Sequence, residues 1–169
     1  MECGNSYRFD RNRFAQLRDN GILENFIENS MIMSNNIEQP SGRRYTPEHI
    51  TRLNPGEIFV FGSNLAGMHG GGAARAAYIH FGAVMGQGVG LQGRSYAIPT
   101  MHGGPEAIAP YVNEFIAFAR QHRELTFLVT RIGCGIAGFR DEEIAPLFAA
   151  ALHEPNIVLP RSFCDSFSL

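Results

Sequence analysis

Two glycine-rich stretches hold the chemistry that this sequence can do. The first, Gly70-Gly71-Gly72, stands between an apolar run that ends at Asn64 and an Ala-rich segment, GGGAARAAYIHF. A strand feeding a glycine loop feeding a helix is how α/β proteins build anion sites. The first N–H groups of a helix have no partner within it, and the helix dipole favours negative charge there. Glycine lets that backbone come close to a ligand. The competing reading is a tight strand-to-helix turn, which needs fewer glycines. The second stretch, Gly133-Cys134-Gly135-Ile136-Ala137-Gly138, fits GxGxxG between an expected strand and an expected helix. Its place in the chain argues against a Rossmann site: one strand follows, and Pro160 and Arg161 stand where the acidic residue ending that strand would be. It reads instead as a phosphate loop of another α/β fold.

Around these loops stand side chains that could act on a ligand. Asn64, at a strand end, could bond a sugar hydroxyl or position a water; equally, it could form an Asx-turn that shapes its own loop. His69 precedes the glycine triplet and His102 follows a strand, so both are candidates for ligand contact or general acid–base work. His80 reads as structural. Cys134 lies near a helix N-terminus, where thiol pKa falls, but no histidine is near it in sequence, and it reads as a small residue filling a tight loop. Gln92 and Tyr96 are further candidates for the lining. No HExxH and no clustered His/Asp pattern occurs, so no metal and no other cofactor is expected.

The totals bound the partners. The chain has 169 residues, 44% hydrophobic and 18% charged, with a formal charge of -2. That composition suits one globular domain with a sizeable core. No basic field argues for duplex nucleic acid. Cys3, Cys134 and Cys164 are odd in number and widely spaced, with no CxxC; a reducing compartment and no disulfide frame are expected. No signal-peptide apolar region and no spanning run is visible, which makes the cytoplasm the expected location and a membrane an unexpected partner.

The elements that must position the loops follow from periodicity. Phe9–Arg18 and the face formed by Ile22, Leu23, Phe26 and Ile27 predict helices, and Met31–Met33 an edge strand. Thr46-Pro47-Glu48 predicts a helix start, with Thr46 as N-cap. From Glu57 the pattern changes. Phe59, Val60 and Phe61 predict a strand buried on both faces. A helix follows from Gly70 to Phe81, then a glycine-rich loop, GAVMGQGVGLQG, without structure of its own. SYAIP (95–99) predicts a strand, and the spacing of Ile108, Tyr111, Val112, Phe115, Ile116 and Ala119 a helix starting near Pro110. TFLVTRI (126–132) predicts a strand, Ile144 to Leu152 a helix, Asn156–Leu159 a last strand, and the tail after Pro160 an irregular end. Strands alternating with helices imply a largely parallel sheet covered on both sides. Ligands in such sheets sit beyond the carboxyl ends of the strands. One crevice there could collect Asn64, Thr100 and Gly133.

In order and spacing, IFVFGSN–LAGMH–GGGAARAAYIHFGA, SYAIPT and FLVTRIGCGIAGF together resemble the macro-domain signature, from about Pro55 to Pro160. The resemblance implies a three-layer α/β/α fold with a mostly parallel central sheet over residues 46–169, preceded by an N-terminal helical extension, 1–45. It implies a pocket for ADP-ribose or a related nucleotide, with ADP-ribosylated protein as a partner. It implies either hydrolysis of ADP-ribosyl bonds or ADP-ribose phosphoesters, or non-catalytic reading of ADP-ribosylated partners. A nucleotide-binding α/β protein of another family is the remaining alternative. By resemblance, Asn64 contacts ribose, and Gly70, Gly71 and Gly72 lie near the distal ribose and diphosphate. Gly133, Cys134, Gly135, Ile136, Ala137 and Gly138 wrap the diphosphate, and Phe139 flanks the distal ribose. If water is activated, Asn64 orients it with His69 or His102 in support. The chain departs from the pattern at Ala74, where one hydrolytic branch carries Asp, and the acidic residue that holds the adenine amino group has only Glu48 and Glu57 as candidates.

Overall fold

The computed structural model describes residues 42–167. The expected helices over Phe9–Arg18 and Ile22–Ile27, the expected edge strand at Met31–Met33 and nearly all of the expected extension lie outside them. In chain order the elements are β1 (Glu57–Ser63), α1 (Gly72–His80), β2 (Gly90–Gln92), β3 (Ser95–Pro99), α2 (Pro105–Gln121), β4 (Thr126–Val129) and α3 (Asp141–Ile144). This last runs into a 3-10 helix (Ala145–His153), followed by β5 (Ile157–Val158) and α4 (Arg161–Asp165).

The sheet is mixed and five-stranded, in the order β2-β3-β1-β4-β5. β1 pairs in parallel with β3 on one side, Phe59 opposite Ser95 through Ser63 opposite Pro99. On the other side it pairs in parallel with β4, Glu57 opposite Thr126 through Val60 opposite Val129. β5 is parallel to β4, and β2 forms an antiparallel edge on β3. The run of Phe59, Val60 and Phe61 has the predicted cause. Side chains alternate across a strand, so Ile58 and Val60 join a core with α2 and the 3-10 helix. Phe59 and Phe61 join a second core with Ala74 and Ala77 of α1. The sheet is therefore buried on both faces. In α2, Ile108, Val112, Phe115, Ile116 and Ala119 form the buried stripe.

Several expectations are corrected. Thr46 opens no helix: its N–H donates to Leu159 O at 2.9 Å and its hydroxyl to Val158 O at 2.7 Å. Both groups that would cap a helix are taken by the end of β5, and the segment bridges Pro160 at Thr46 and forms no helix. The glycine-rich loop after α1 contains β2, because buried Gln92 organises it. Val84 N–H donates to Gln92 Oε1 at 2.6 Å, and Gln92 Nε2 donates to Gln87 O at 3.1 Å. That role also removes Gln92 from the cleft lining, and Tyr96 is in the core. Helix α2 starts at Pro105, with Pro110 inside it; the buried stripe holds the helix across the missing N–H. β4 ends at Val129, and the tail forms α4, anchored by buried Phe163 and Cys164. No helix among the described residues is long and apolar enough to cross a membrane.

Two polar groups close the end of the sheet opposite the cleft. Asn156 Nδ2 faces three carbonyl oxygens at the end of α2: Ala119 at 2.8 Å, His122 at 3.1 Å and Leu125 at 3.2 Å. At the start of β1, buried Glu57 accepts from Arg44 and, at 2.8 Å, from Asn54 N–H. Burial raises the Glu57 pKa, but these donors outweigh it and hold the carboxyl below its ordinary 4.5. These bonds remove Glu57 as a candidate for holding a nucleobase.

Asn156→Ala is expected to cost about 1–3 kcal/mol in urea unfolding. Asn156→Asp should cost more at neutral pH, since it turns a carboxylate toward carbonyl oxygens; an Asp variant as stable as wild type would contradict the capping role. For Glu57 the folded pKa is depressed. Its contribution to stability is thus complete above 4.5 and is lost as pH falls through the lower folded value. Glu57→Gln should flatten the acid limb of a stability–pH curve below about pH 4.5.

Candidate functional site

β1, β3 and β4 run in the same direction, so their carboxyl ends open on one side. Just beyond them lies a cleft of about 330 Å³. It is lined by Ser63 and Asn64 after β1, by Thr100 and Met101 after β3, and by Thr130 to Gly133 after β4. The glycine triplet with Ala73 and Ala74, and Gly135 to Ala137, complete it. The expected meeting of the loops at Asn64, Thr100 and Gly133 is present.

The two glycine loops face each other directly. A methyl group added at Gly71 would stand 3.0 Å from Ile136 Cδ1. Gly71 has an ordinary extended backbone, φ −152°; a side chain there would meet only the end of the exposed Ile136 side chain and would occupy the space between the loops. At Gly133 the backbone decides, with φ +78°. Ile136 itself is 71% exposed and forms part of the rim with Met68 and Met101, which are also exposed.

The cleft is rich in main-chain donors that have no partner among the described residues. Among the described residues, the N–H groups of Gly70, Gly71, Gly72, Ala73 and Ala74 have no acceptor; the first in that run to find one is Arg75, which donates to Gly71 O at 3.1 Å. The N–H groups of Gly133, Gly135, Ile136 and Ala137 also have none among the described residues. The hydroxyls at the floor are already donating: Thr130 to Val60 O at 2.9 Å, Thr100 to Ser63 O at 3.3 Å, and Ser63 to Gly88 O. Among the described residues, Arg131 is the only ionisable side chain in the lining. An array of N–H donors with one guanidinium and no carboxylate is suited to an anion with several oxygens.

Asn64 lines this cleft, but its amide is bound to the loop. Oδ1 accepts from Met68 N–H at 3.0 Å and Nδ2 donates to Met68 O at 2.9 Å. The loop-shaping alternative is realised. One Nδ2 proton and one Oδ1 lone pair are left for a ligand.

The expected acid–base histidines are not in the lining. His69 is 1% exposed. Its ring packs edge-on to Phe61 at 5.2 Å and its Nε2 lies 3.0 Å from Val84 O. Its neighbours Met68 and Gly70 face the cleft, which turns His69 inward, and its aromatic faces gain more from the core than from water. His102 packs edge-on to Tyr111 at 5.2 Å, with Nε2 3.1 Å from Ala107 O, and so fastens its loop to α2.

The second loop is likewise divided. Gly133, Gly135, Ile136 and Ala137 line the cleft, while Cys134, Gly138 and Phe139 do not. Burial, with the Asp141 carboxylate adding to it, pushes the Cys134 thiol up to about 12, so it stays protonated. Gly138 N–H donates to Gly135 O and Phe139 N–H to Gly133 O, both at 3.0 Å, which closes the loop on itself. The half-buried Phe139 ring packs on the main core.

Arg131, Met68 and Met101 are lining residues that inspection of motifs passes over. A signal existed for Arg131. It comes just after a strand that feeds a glycine loop, as Asn64 does.

Asn64→Ala should release the Met68 amide, detected as faster hydrogen exchange at that position, with a stability loss of about 1 kcal/mol. Unchanged exchange at Met68 would contradict the loop-shaping role.

A scan of protein-family models finds no match for this chain, and searches of curated proteins and of solved structures find none.

Proposed function

We propose that this chain binds ADP-ribose or a closely related nucleotide diphosphate, and that it reads ADP-ribosylated partners without hydrolysing them. The fold that goes with this reading is a three-layer, macro-like α/β/α domain. One observation carries it: two glycine loops, far apart in sequence, line one cleft at the carboxyl ends of parallel strands, and their N–H groups at 70–74, 133 and 135–137 have no acceptor among the described residues. A diphosphate presents several acceptor oxygens to such a surface, and charge-assisted bonds to N–H groups are stronger than neutral ones. The volume agrees with the middle of such a ligand. Pockets that enclose a drug-sized molecule run from about 300 to 1,000 Å³, so this one takes the diphosphate and adjoining sugar. The base is left to the apolar rim of Met68, Met101 and Ile136.

Binding is preferred to hydrolysis because no carboxylate, imidazole or thiol lines the cleft among the described residues. By the resemblance, Ala74 stands where one hydrolytic branch carries Asp, and its N–H has no acceptor among the described residues.

Calorimetry should show ADP-ribose binding more tightly than AMP. ADP-ribose should also raise the melting temperature, since a ligand selective for the native state stabilises it by mass action. Gly71→Val, which fills the gap to Ile136, should abolish the binding. ADP-ribosylated protein incubated with the wild-type chain should keep its label. No heat and no thermal shift with ADP-ribose would sink the binding reading, and steady release of ADP-ribose would replace the reader with a hydrolase.

A further inference from the structure

Arg131 gives the cleft a feature that the main-chain floor lacks. Its guanidinium is gripped side-on by Asp141, the first residue of α3: Nε donates to Oδ1 at 3.1 Å and Nη2 to Oδ2 at 2.9 Å. This uses one edge of the fork. The other edge, Nη1 with the second proton of Nη2, makes no hydrogen bond to a described residue. The side chain is 57% exposed and lines the cleft.

The backbone beneath it is held on both sides. Thr130 donates to Val60 O from its N–H at 3.0 Å and from its hydroxyl at 2.9 Å; Cys134 N–H donates to Arg131 O at 3.2 Å; and Ile132 is buried between them. The backbone is thus fixed, and the fork to Asp141 restrains the side chain, which lowers the rotamer freedom left to lose on gripping a ligand. Burial works against the Asp141 charge, but the Arg131 fork, with smaller contributions from Cys134 and Ser162, outweighs it and holds the carboxyl below its usual range. The grip therefore persists at neutral pH.

The charges around it define what Arg131 offers. Asp141 is in contact, and Glu48 is close enough for its charge to bear on the guanidinium. Two carboxylates near one cation leave little long-range field. What remains is short-range and geometric, a planar pair of donors spaced to meet two oxygens of one phosphate.

We infer that Arg131 is the specificity-determining residue of this cleft, taking the second of two linked phosphates in its free guanidinium edge while the glycine loops hold the first, with Asp141 as the positioning residue. The inference rests on the nucleotide-diphosphate reading. It narrows the ligand class to diphosphates and separates them from monophosphates that share the same base and sugar.

The test is calorimetry with ADP and AMP as probes on the full chain, for wild type, Arg131→Gln, Arg131→Lys and Asp141→Asn, with the unligated melting temperature of each. Wild type should prefer ADP by about tenfold or more, the size of one charge-assisted fork. Arg131→Gln should bring that ratio to within about twofold, with AMP affinity nearly unchanged. Arg131→Lys should fail to restore it, since lysine keeps the charge and loses the fork. Asp141→Asn should give an intermediate ratio. A merely structural ion pair would move melting temperatures and both affinities together. A wild-type ADP/AMP ratio retained in Arg131→Gln overturns the inference and leaves the diphosphate reading intact. Should Arg131→Gln fail to fold, Arg131→Lys decides in the same way. Wild type that binds neither ADP nor ADP-ribose overturns both.

Discussion

Parallel pairing on both sides of β1 is the constraint from which the rest follows. β1 is held by β3 along one edge and β4 along the other. Its side chains enter a different core on each face. A strand so placed has no freedom of direction or register, because a one-residue slip would exchange its two faces. Its carboxyl end therefore emerges beside those of β3 and β4. The loops leaving all three strands are forced to share one volume, and the cleft is the outcome.

The loops keep their shape through bonds that leave the N–H groups of Gly70 to Ala74, Gly133 and Gly135 to Ala137 without an acceptor among the described residues. Asn64 ties the first loop through the main chain of Met68, and His69 nails it to Phe61 and the Val84 carbonyl. The second loop is closed by internal bonds from Gly138 and Phe139, with the Phe139 ring set into the core. Most of the donors without a partner among the described residues sit on exposed or half-buried positions, Gly70, Gly72, Gly135 and Ile136 among them, where they face solvent that a ligand can replace. In this cleft glycine keeps side chains out of the space between the loops. A preorganised array of this kind suits anion binding because little rearrangement accompanies the ligand.

Motif and periodicity were good guides where local causes ruled. The strands at 57–63 and 95–99, the stripe of α2 and the glycine loops all lie where their residue patterns place them. The failures share a cause in distant partners. Thr46 looks like an N-cap, but the β5 strand end takes its N–H and hydroxyl. Residues 90–92 look like loop, but Gln92 is buried and β3 offers them an edge. Phe163 lies in what looks like an irregular tail, but a core pocket holds it in α4. In the site, His69 and His102 share a chemistry that also suits packing against Phe61 and Tyr111, and no local pattern separates the two uses.

The amino-acid sequence alone determined the alternation of strands and helices, the two places where the backbone is stripped of side chains, and the apolar strand that could only be central. These depend on near neighbours: periodicity, turn chemistry and the absence of Cβ atoms. Tertiary structure decided which of the polar residues face the cleft. It turned His69 inward and left Arg131 at the cleft, with one edge of its guanidinium taken by Asp141, ten residues on. The physical reason is that a side chain's direction is set by what packs against it across the sheet, and those contacts join residues that the chain keeps far apart.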